Sequence, residues 1–466
     1  MKINKLFIAA VAFCMLFASC SKDLTEPGNN SQAGGETYAK LVLKLPADLT
    51  KAEDVTAGTT VERNVNTIAI YVYDPVLGTF TAEAGGARPI SDFTPSGTVG
   101  AQLYTSNFAV KTTKGMKRFL LVINPTATVS AGINTLGLNT LNPVAFNVPL
   151  VGSAAEQLNW ITTTGMVMSG NANMDLPQQT EAEALAPGAP VLQVEIYRNV
   201  AKVFLEQPTG GVTVTGAQFS TNIQYTLIAK ALNSHFQEQT NTLQSVVPTA
   251  AIDPTGGLNH TYYTSNFTTT KPTTGFKSLN AQNSSLNGVG TANGDYVFEN
   301  VPSSVTGSTE TPFRYGNTTA YLLSATLVPD DLITGYDITT GNVTATRVAA
   351  AGTPAEEFYV YKLDNTAWRT SAYNTAIGAG AFHLDAADFK GPYLNGVGYY
   401  NFPVQDASAK FGVKRNYYYI VTVNEIIGFG SPTLPETPPP YDDTTWIKVS
   451  AQVHAWNVQT SIVDVR

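Results

Sequence analysis

Along residues 38–45 apolar side chains recur at every second position, with Leu41, Leu43 and Leu45 on one face and Lys40, Val42 and Lys44 on the other. Alternation with period two sends successive side chains to opposite faces of a strand, so this segment is predicted as a half-buried strand with its leucines inward. Pro46 ends it. β-Branched and aromatic runs predict strands at 68–73, closed by Asp74-Pro75, and at 118–123, closed by Asn124-Pro125. Residues 166–170, 191–205, 223–231, 319–327, 358–363 and 414–423 read the same way. Helix signals are few. The best is Ser153-Ala154-Ala155-Glu156, whose spacing lets each end satisfy a free backbone donor and predicts one short helix. At the end of the chain the apolar residues hold odd positions along Ile447, Val449, Ala451, Val453 and Ala455, then even ones along Trp456, Val458, Thr460 and Ile462. That slip of phase predicts two successive strands with different partners. The second either docks in its own sheet or completes the sheet of a neighbour.

The connecting segments divide the chain. Residues 21–36 are polar and Gly-rich, as in a flexible tether. Residues 47–62 form a polar loop with a single basic residue, Lys51, followed by Ala52; Arg63 and Asn64 come shortly after. Exposed polar loops are where proteases cut, because the chain must enter their sites extended. Pro208-Thr209-Gly210-Gly211 is a natural domain boundary, 233–310 reads as long surface loops, and 432–440 (PTLPETPPP) is a stiff spacer before the last strands. Regular strand and turn spacing without long amphipathic helices predicts an all-β protein of β-sandwiches with few short helices.

Composition agrees. With 466 residues and 43% hydrophobic content the chain can build more than one core, and charged residues are only 13%. A net charge of −8 with no cluster of Lys and Arg argues against nucleic acid or an anionic membrane face as a partner. Lys2 and Lys5 precede an apolar run at 6–17, which reads as a secretory signal over residues 1–19. The run ends Leu16-Phe17-Ala18-Ser19-Cys20, which resembles a bacterial lipobox with Cys20 as the acylated residue; an ordinary signal with an incidental cysteine is the alternative. The other cysteine, Cys14, lies inside the signal, so an acylated Cys20 would leave no thiol for disulfides or catalysis.

No catalytic constellation stands out. His235, His260, His383 and His454 lack metal-ligand spacing, and no nucleophile elbow or phosphate-binding loop occurs. Glu356-Glu357, Asp330-Asp331 and Asp442-Asp443 are adjacent pairs, whose side chains would point opposite ways in a strand. Asn171, Asn173 and Asp175 alternate as in a calcium loop but without its glycine and closing glutamate. The expectation is no enzyme, no cofactor and no metal. The Tyr and Trp residues could stack on sugars, although cross-strand packing accounts for them as well.

Several segments together resemble one family. These are the lipobox-like Cys20, Met166-Val167-Met168-Ser169-Gly170, the stretch from Glu195 to Val203 with its Val-Ala-Lys-Val ending, the stretch from Tyr315 to Leu323 with Gly316-Asn317-Thr318, and Val413-Lys414-Arg415-Asn416-Tyr417-Tyr418. In that order they are similar to the motifs of the fimbrillin, or type V pilin, family of Bacteroidetes. The ending His454-Ala455-Trp456-Asn457-Val458 resembles that of the minor shaft fimbrillin.

The resemblance implies two β-sandwich (transthyretin-like) domains, at 52–207 and 208–466, after a lipidated propeptide at 20–51. It implies a structural shaft subunit of a fimbria, exported as a lipoprotein and localised to the cell surface, with the precursor lipid-anchored at the outer membrane. A trypsin-like protease would cut at Lys51-Ala52, with Arg63-Asn64 as the second choice, and the cut would remove the first strand with Leu41, Leu43 and Leu45. Strand exchange would then place the donor strand at 446–466 of a neighbouring copy, through Trp456, Val458, Ile462, Val463 and Val465, in the vacated groove. Other implied partners are anchor and tip pilins, with host glycans or proteins left open. An anchor or tip subunit, or a surface glycan-binding lipoprotein, is the alternative reading.

Overall fold

A computed structural model describes residues 35–45, 64–74, 79–82, 86–96, 103–127, 130, 147–149, 161–162, 165–231, 233–235, 245–246, 272, 274–279, 295–300, 302–303, 316–379, 384–405, 411–434, 447–455 and 460–463. The chain is all-β and builds its strands into sandwiches. In the N-terminal unit one sheet has the order Val191–Glu195, Glu36–Lys44, Leu103–Thr113, Phe93–Ser96. The facing sheet runs Tyr197–Arg198, Met168–Leu176, Gly115–Ile123, Thr67–Asp74, Thr79–Ala82, with Arg88–Pro89 also paired to Thr67–Asp74. Their inner faces share one core, in which Leu41, Leu43, Val110 and Val194 from one sheet meet Ile70, Phe119, Leu121 and Met168 from the other.

At Asn199 the chain leaves this sandwich, and Val200–Glu206 enters the next. There it pairs antiparallel with Asp295–Phe298 and parallel with Tyr417–Ile426. The turn at 208–211 therefore lies inside the second unit, and the change of core comes before it. Tyr417–Ile426 continues the sheet to Ile447–Ala455 and then Thr460–Val463. A facing sheet is built around Ala320–Pro329, which pairs with Ala217–Phe219, Gln224–Ile228 and Val397–Pro403. Ala201, Val203, Leu205, Tyr321, Leu323, Tyr419 and Val421 are among the residues filling the core between the two.

A third sheet is inserted between Ala320–Pro329 and Val397–Pro403, two strands that are themselves hydrogen-bonded neighbours. Its order is Asn342–Val348, Asp331–Asp337, Ala367–Arg369, Phe358–Tyr361, Phe389–Tyr393. The helix Thr370–Gly378 packs on it through Ala372 and Ala376, beside Ile333, Trp368 and Phe389.

The helix predicted at Ser153 lies outside the described residues. The α-helices described along their whole length are Glu181–Leu185 and Thr370–Gly378. The first opens with a capping box in which the Glu183 amide donates to the Thr180 hydroxyl and the Thr180 amide donates to the Glu183 carboxylate. That Thr-x-x-Glu spacing was present in the sequence. Among the described residues no helix is long and apolar enough to cross a membrane, and no group of three or more His, Cys, Asp and Glu could hold a metal ion.

Candidate functional site

The first strand, Glu36–Lys44, lies between two neighbours of opposite polarity. Residues 40–44 pair in parallel with Val191–Glu195, and the strand pairs antiparallel with Leu103–Thr113. Leu41 and Leu43 are fully buried and Leu45 is 6% exposed, as the alternation predicted. A strand hydrogen-bonded along both edges, with its inner face in the core, leaves a slot with two open edges and an apolar floor when it goes.

The pairing with Leu103–Thr113 is interrupted by a bulge. Lys40 faces Ala109 and Val42 faces Thr105, so Leu41 alone stands opposite residues 106–108. The Leu41 amide cannot reach a ladder carbonyl there. It donates to the buried Ser106 hydroxyl at 3.0 Å, and Ser106 in turn donates to the Phe108 carbonyl at 2.7 Å. The outer face carries exposed ion pairs, Lys44 with Glu195 and Lys111 with Glu36. Hydrogen bonds from Lys44 and Tyr197 hold the Glu195 carboxyl below its ordinary pKa, and those from Lys111 and Tyr38 lower Glu36 likewise. Such exposed pairs contribute little to stability.

Of the residues predicted to be cut or lipidated, Cys20, Lys51, Ala52 and Arg63 lie outside the described residues. Asn64 is described, and its carbonyl accepts from the Asn124 side-chain amide at 2.7 Å. The same amide reaches the Met166 carbonyl at 3.1 Å, and the Asn124 side-chain oxygen accepts from the backbone amide of Asn66 at 2.9 Å. Asn124 itself has φ 48° and is 7% exposed. A protease binds several residues on each side of the scissile bond in extended form, and at Arg63-Asn64 the residues following the bond are held by Asn124. Cleavage at Arg63 is therefore expected to be slow in the folded chain. Asn124→Ala is expected to raise it at least about tenfold by removing these bonds, read as a new fragment starting at Asn64 in trypsin-limited mass spectrometry. A wild-type chain cut equally fast at Arg63 and Lys51 would contradict this.

Of the predicted donor residues, Trp456, Val458 and Val465 lie outside the described residues. Ile462 and Val463 lie in Thr460–Val463, whose backbone folds back on the preceding strand, Ile462 opposite Gln452 and Val463 opposite Ala451. Ile447–Ala455 pairs antiparallel with Tyr417–Ile426. The phase slip thus separates two strands, and within one chain Thr460–Val463 sits in a different sheet from the first strand's seat.

The sequence motifs converge elsewhere, at the passage between the two sandwiches. The Ser169 hydroxyl donates to the Asn199 side-chain oxygen at 2.7 Å, and Arg415 Nη1 donates to the same oxygen at 3.2 Å. Arg415 Nε donates to Glu299 at 3.0 Å, with the two side chains 1% and 5% exposed. Asn416 accepts from the Arg198 amide, and its own amide donates to the Val200 carbonyl. Beside them the Asn300 side chain donates to the Asn317 carbonyl and the Thr319 hydroxyl, both at 2.9 Å. Residues that look like separate strand motifs in the sequence form one buried polar junction.

Residues 392–461 match the family model described as major fimbrial subunit protein type IV, fimbrillin, C-terminal. This bears out the fimbrillin resemblance, and the matched segment contains the motifs at 413–418 and 454–458. No curated protein matches the chain by sequence. Among solved structures, a candidate cell adhesion protein from Parabacteroides distasonis is similar at 16% identity and TM-score 0.45, covering 91% of this chain and 100% of that one. A fimbrilin from Porphyromonas gingivalis is similar at 15% identity and TM-score 0.42, covering 92% and 99%. The tip fimbrial protein Mfa3 from the same organism is similar at 13% identity and TM-score 0.31, covering 90% and 99%.

Proposed function

We propose that the chain is a structural subunit of a cell-surface fimbria, built into the shaft, in which the first strand is a placeholder for a strand of the next copy. The observation that supports this best is the placement of Glu36–Lys44, with its leucines in the core and both edges paired, joined to the rest of the chain through residues 46–63. The match of 392–461 to the fimbrillin C-terminal model supports the family context. In this reading the precursor is acylated at Cys20 and held at the outer membrane. A trypsin-like protease cuts at Lys51-Ala52 on the surface, which separates the first strand from the body. Vacating Leu41, Leu43 and Leu45 returns three buried leucines to water, on the order of 5–9 kcal/mol at ~1.5–3 kcal/mol each. Such a slot favours an apolar replacement, and the segment from Trp456 to Val465 of a neighbouring copy supplies one. Anchor and tip pilins would bind by the same exchange at the filament ends.

Two measurements test this. The protein recovered from the cell surface is expected to begin at Ala52; surface protein that begins at acylated Cys20 would move the assignment to an anchor subunit. Deleting residues 456–466 is expected to give a folded, processed monomer that forms no filaments under electron microscopy. Filaments of ordinary length from that variant would overturn the exchange.

A further inference from the structure

The inner face of the first strand changes character along its length. Leu41 and Leu43 fill the core, whereas Thr37 and Ala39, also fully buried, present only a hydroxyl and a methyl group. That end is held by the segment 177–180, which joins the strand Met168–Leu176 to the helix Glu181–Leu185. The Thr37 hydroxyl donates to the Pro177 carbonyl at 2.6 Å and accepts from the Gln179 amide at 3.0 Å. The Gln179 side chain donates to the Tyr38 carbonyl at 2.7 Å. These bonds form where water does not compete for Thr37, so each is costly to open. The capping box at Thr180 and the fully buried Ala184 fix the far side of the segment.

We propose that residues 177–180 are a latch that sets how long the first strand stays in its seat after the link at 46–63 is cut. The proposal rests on the reading of that strand as a placeholder. A strand cut beyond Leu45 peels from the cut end, where the Lys44–Glu195 pair is about half exposed and weak. Ladder bonds and leucines are then released in turn, and the contacts of Thr37 and Tyr38 with the latch open last. An incoming strand entering from the cut end would occupy the leucine half of the slot before the latch gives way. The core is then never left open, and the cut subunit stays capped until its partner arrives.

Hydrogen exchange on the uncut full-length chain tests the latch without requiring assembly. Thr37→Val keeps the shape and removes the hydroxyl, and is expected to speed exchange of the amides at 36–40 about tenfold, the effect of losing two buried hydrogen bonds. Thr37→Ser restores the hydroxyl and is expected to exchange as wild type. Thr37→Val exchanging within about twofold of wild type overturns the latch. In a second arm both proteins are cut with trypsin, and release of the strand peptide and filament growth are timed. Faster release and faster growth by Thr37→Val support the latch, and equal rates overturn it while leaving the proposed function intact. If neither protein forms filaments, the proposed function fails, and the exchange measurement alone decides the latch.

Discussion

Leu43→Ala destabilises the uncut chain by about 2–5 kcal/mol, the range for emptying a buried leucine site, and leaves filaments grown from the cut chain at wild-type stability. Leu43 is fully buried in a core with Phe119, Leu121, Leu192 and Val194, so the loss in the precursor follows from packing alone. The second half follows only if the strand departs. Phe119→Ala is the control, because it lies on Gly115–Ile123, which stays in both states. It is expected to weaken precursor and filament together, by about 3–5 kcal/mol. Urea unfolding of the uncut chain and thermal dissociation of filaments measure the two effects. Filaments of Leu43→Ala that dissociate as early as those of Phe119→Ala would show that the first strand remains in the assembled subunit, and would sink the placeholder reading.

That strand was legible in the sequence because one face meets the core and the other does not, which is the condition under which alternation reports burial. Its parallel neighbour Val191–Glu195 falls within the strand predicted at 191–205, whereas the neighbour on its other edge was not legible. Leu103–Thr113 is interrupted at 106–108 by the bulge opposite Leu41, and a bulge breaks the period that would have marked it. Asn342–Val348 fails for the opposite reason: its side chains are almost all exposed, with Val348 at 71%, so no core imposes a pattern on it. The polar residues Thr37, Ser106, Asn124 and Gln179 carry no burial signal of their own, and three of them are buried only because a distant backbone group meets each. The helix Glu181–Leu185 could have been found from Thr180 and Glu183. The domain passage at Asn199 was harder. Pro208-Thr209-Gly210-Gly211 is a strong turn signal, but a turn marks a change of direction and not a change of core.

Arg415→Met is expected to cost about 3–5 kcal/mol, the effect of stranding a buried charge. Glu299 would keep its carboxylate at 5% side-chain exposure without the guanidinium that faces it at 3.0 Å, and Asn199 would lose one of the two donors on its side-chain oxygen. Met approximates the volume of Arg, so cavity formation contributes little and the loss reports the charge. Replacing both partners, Arg415→Met with Glu299→Leu, removes the stranded charge and is expected to recover most of the loss, since a buried pair exchanged for apolar residues is often neutral or stabilising. Urea denaturation of the full chain, read as a double-mutant cycle, measures the coupling. An Arg415→Met loss below about 1 kcal/mol would place the pair with solvent-exposed ion pairs and contradict its burial. The double variant then separates stability from linkage. Ser169 belongs to the first sandwich while Arg415 and Glu299 belong to the second, and Asn199 is the residue through which their hydrogen bonds meet. With the charge pair gone, the cores keep their packing but lose the Arg415–Asn199 bond across the passage. Hydrogen exchange at 168–170 and 198–200 is therefore expected to quicken in the double variant even where its unfolding midpoint returns to that of wild type.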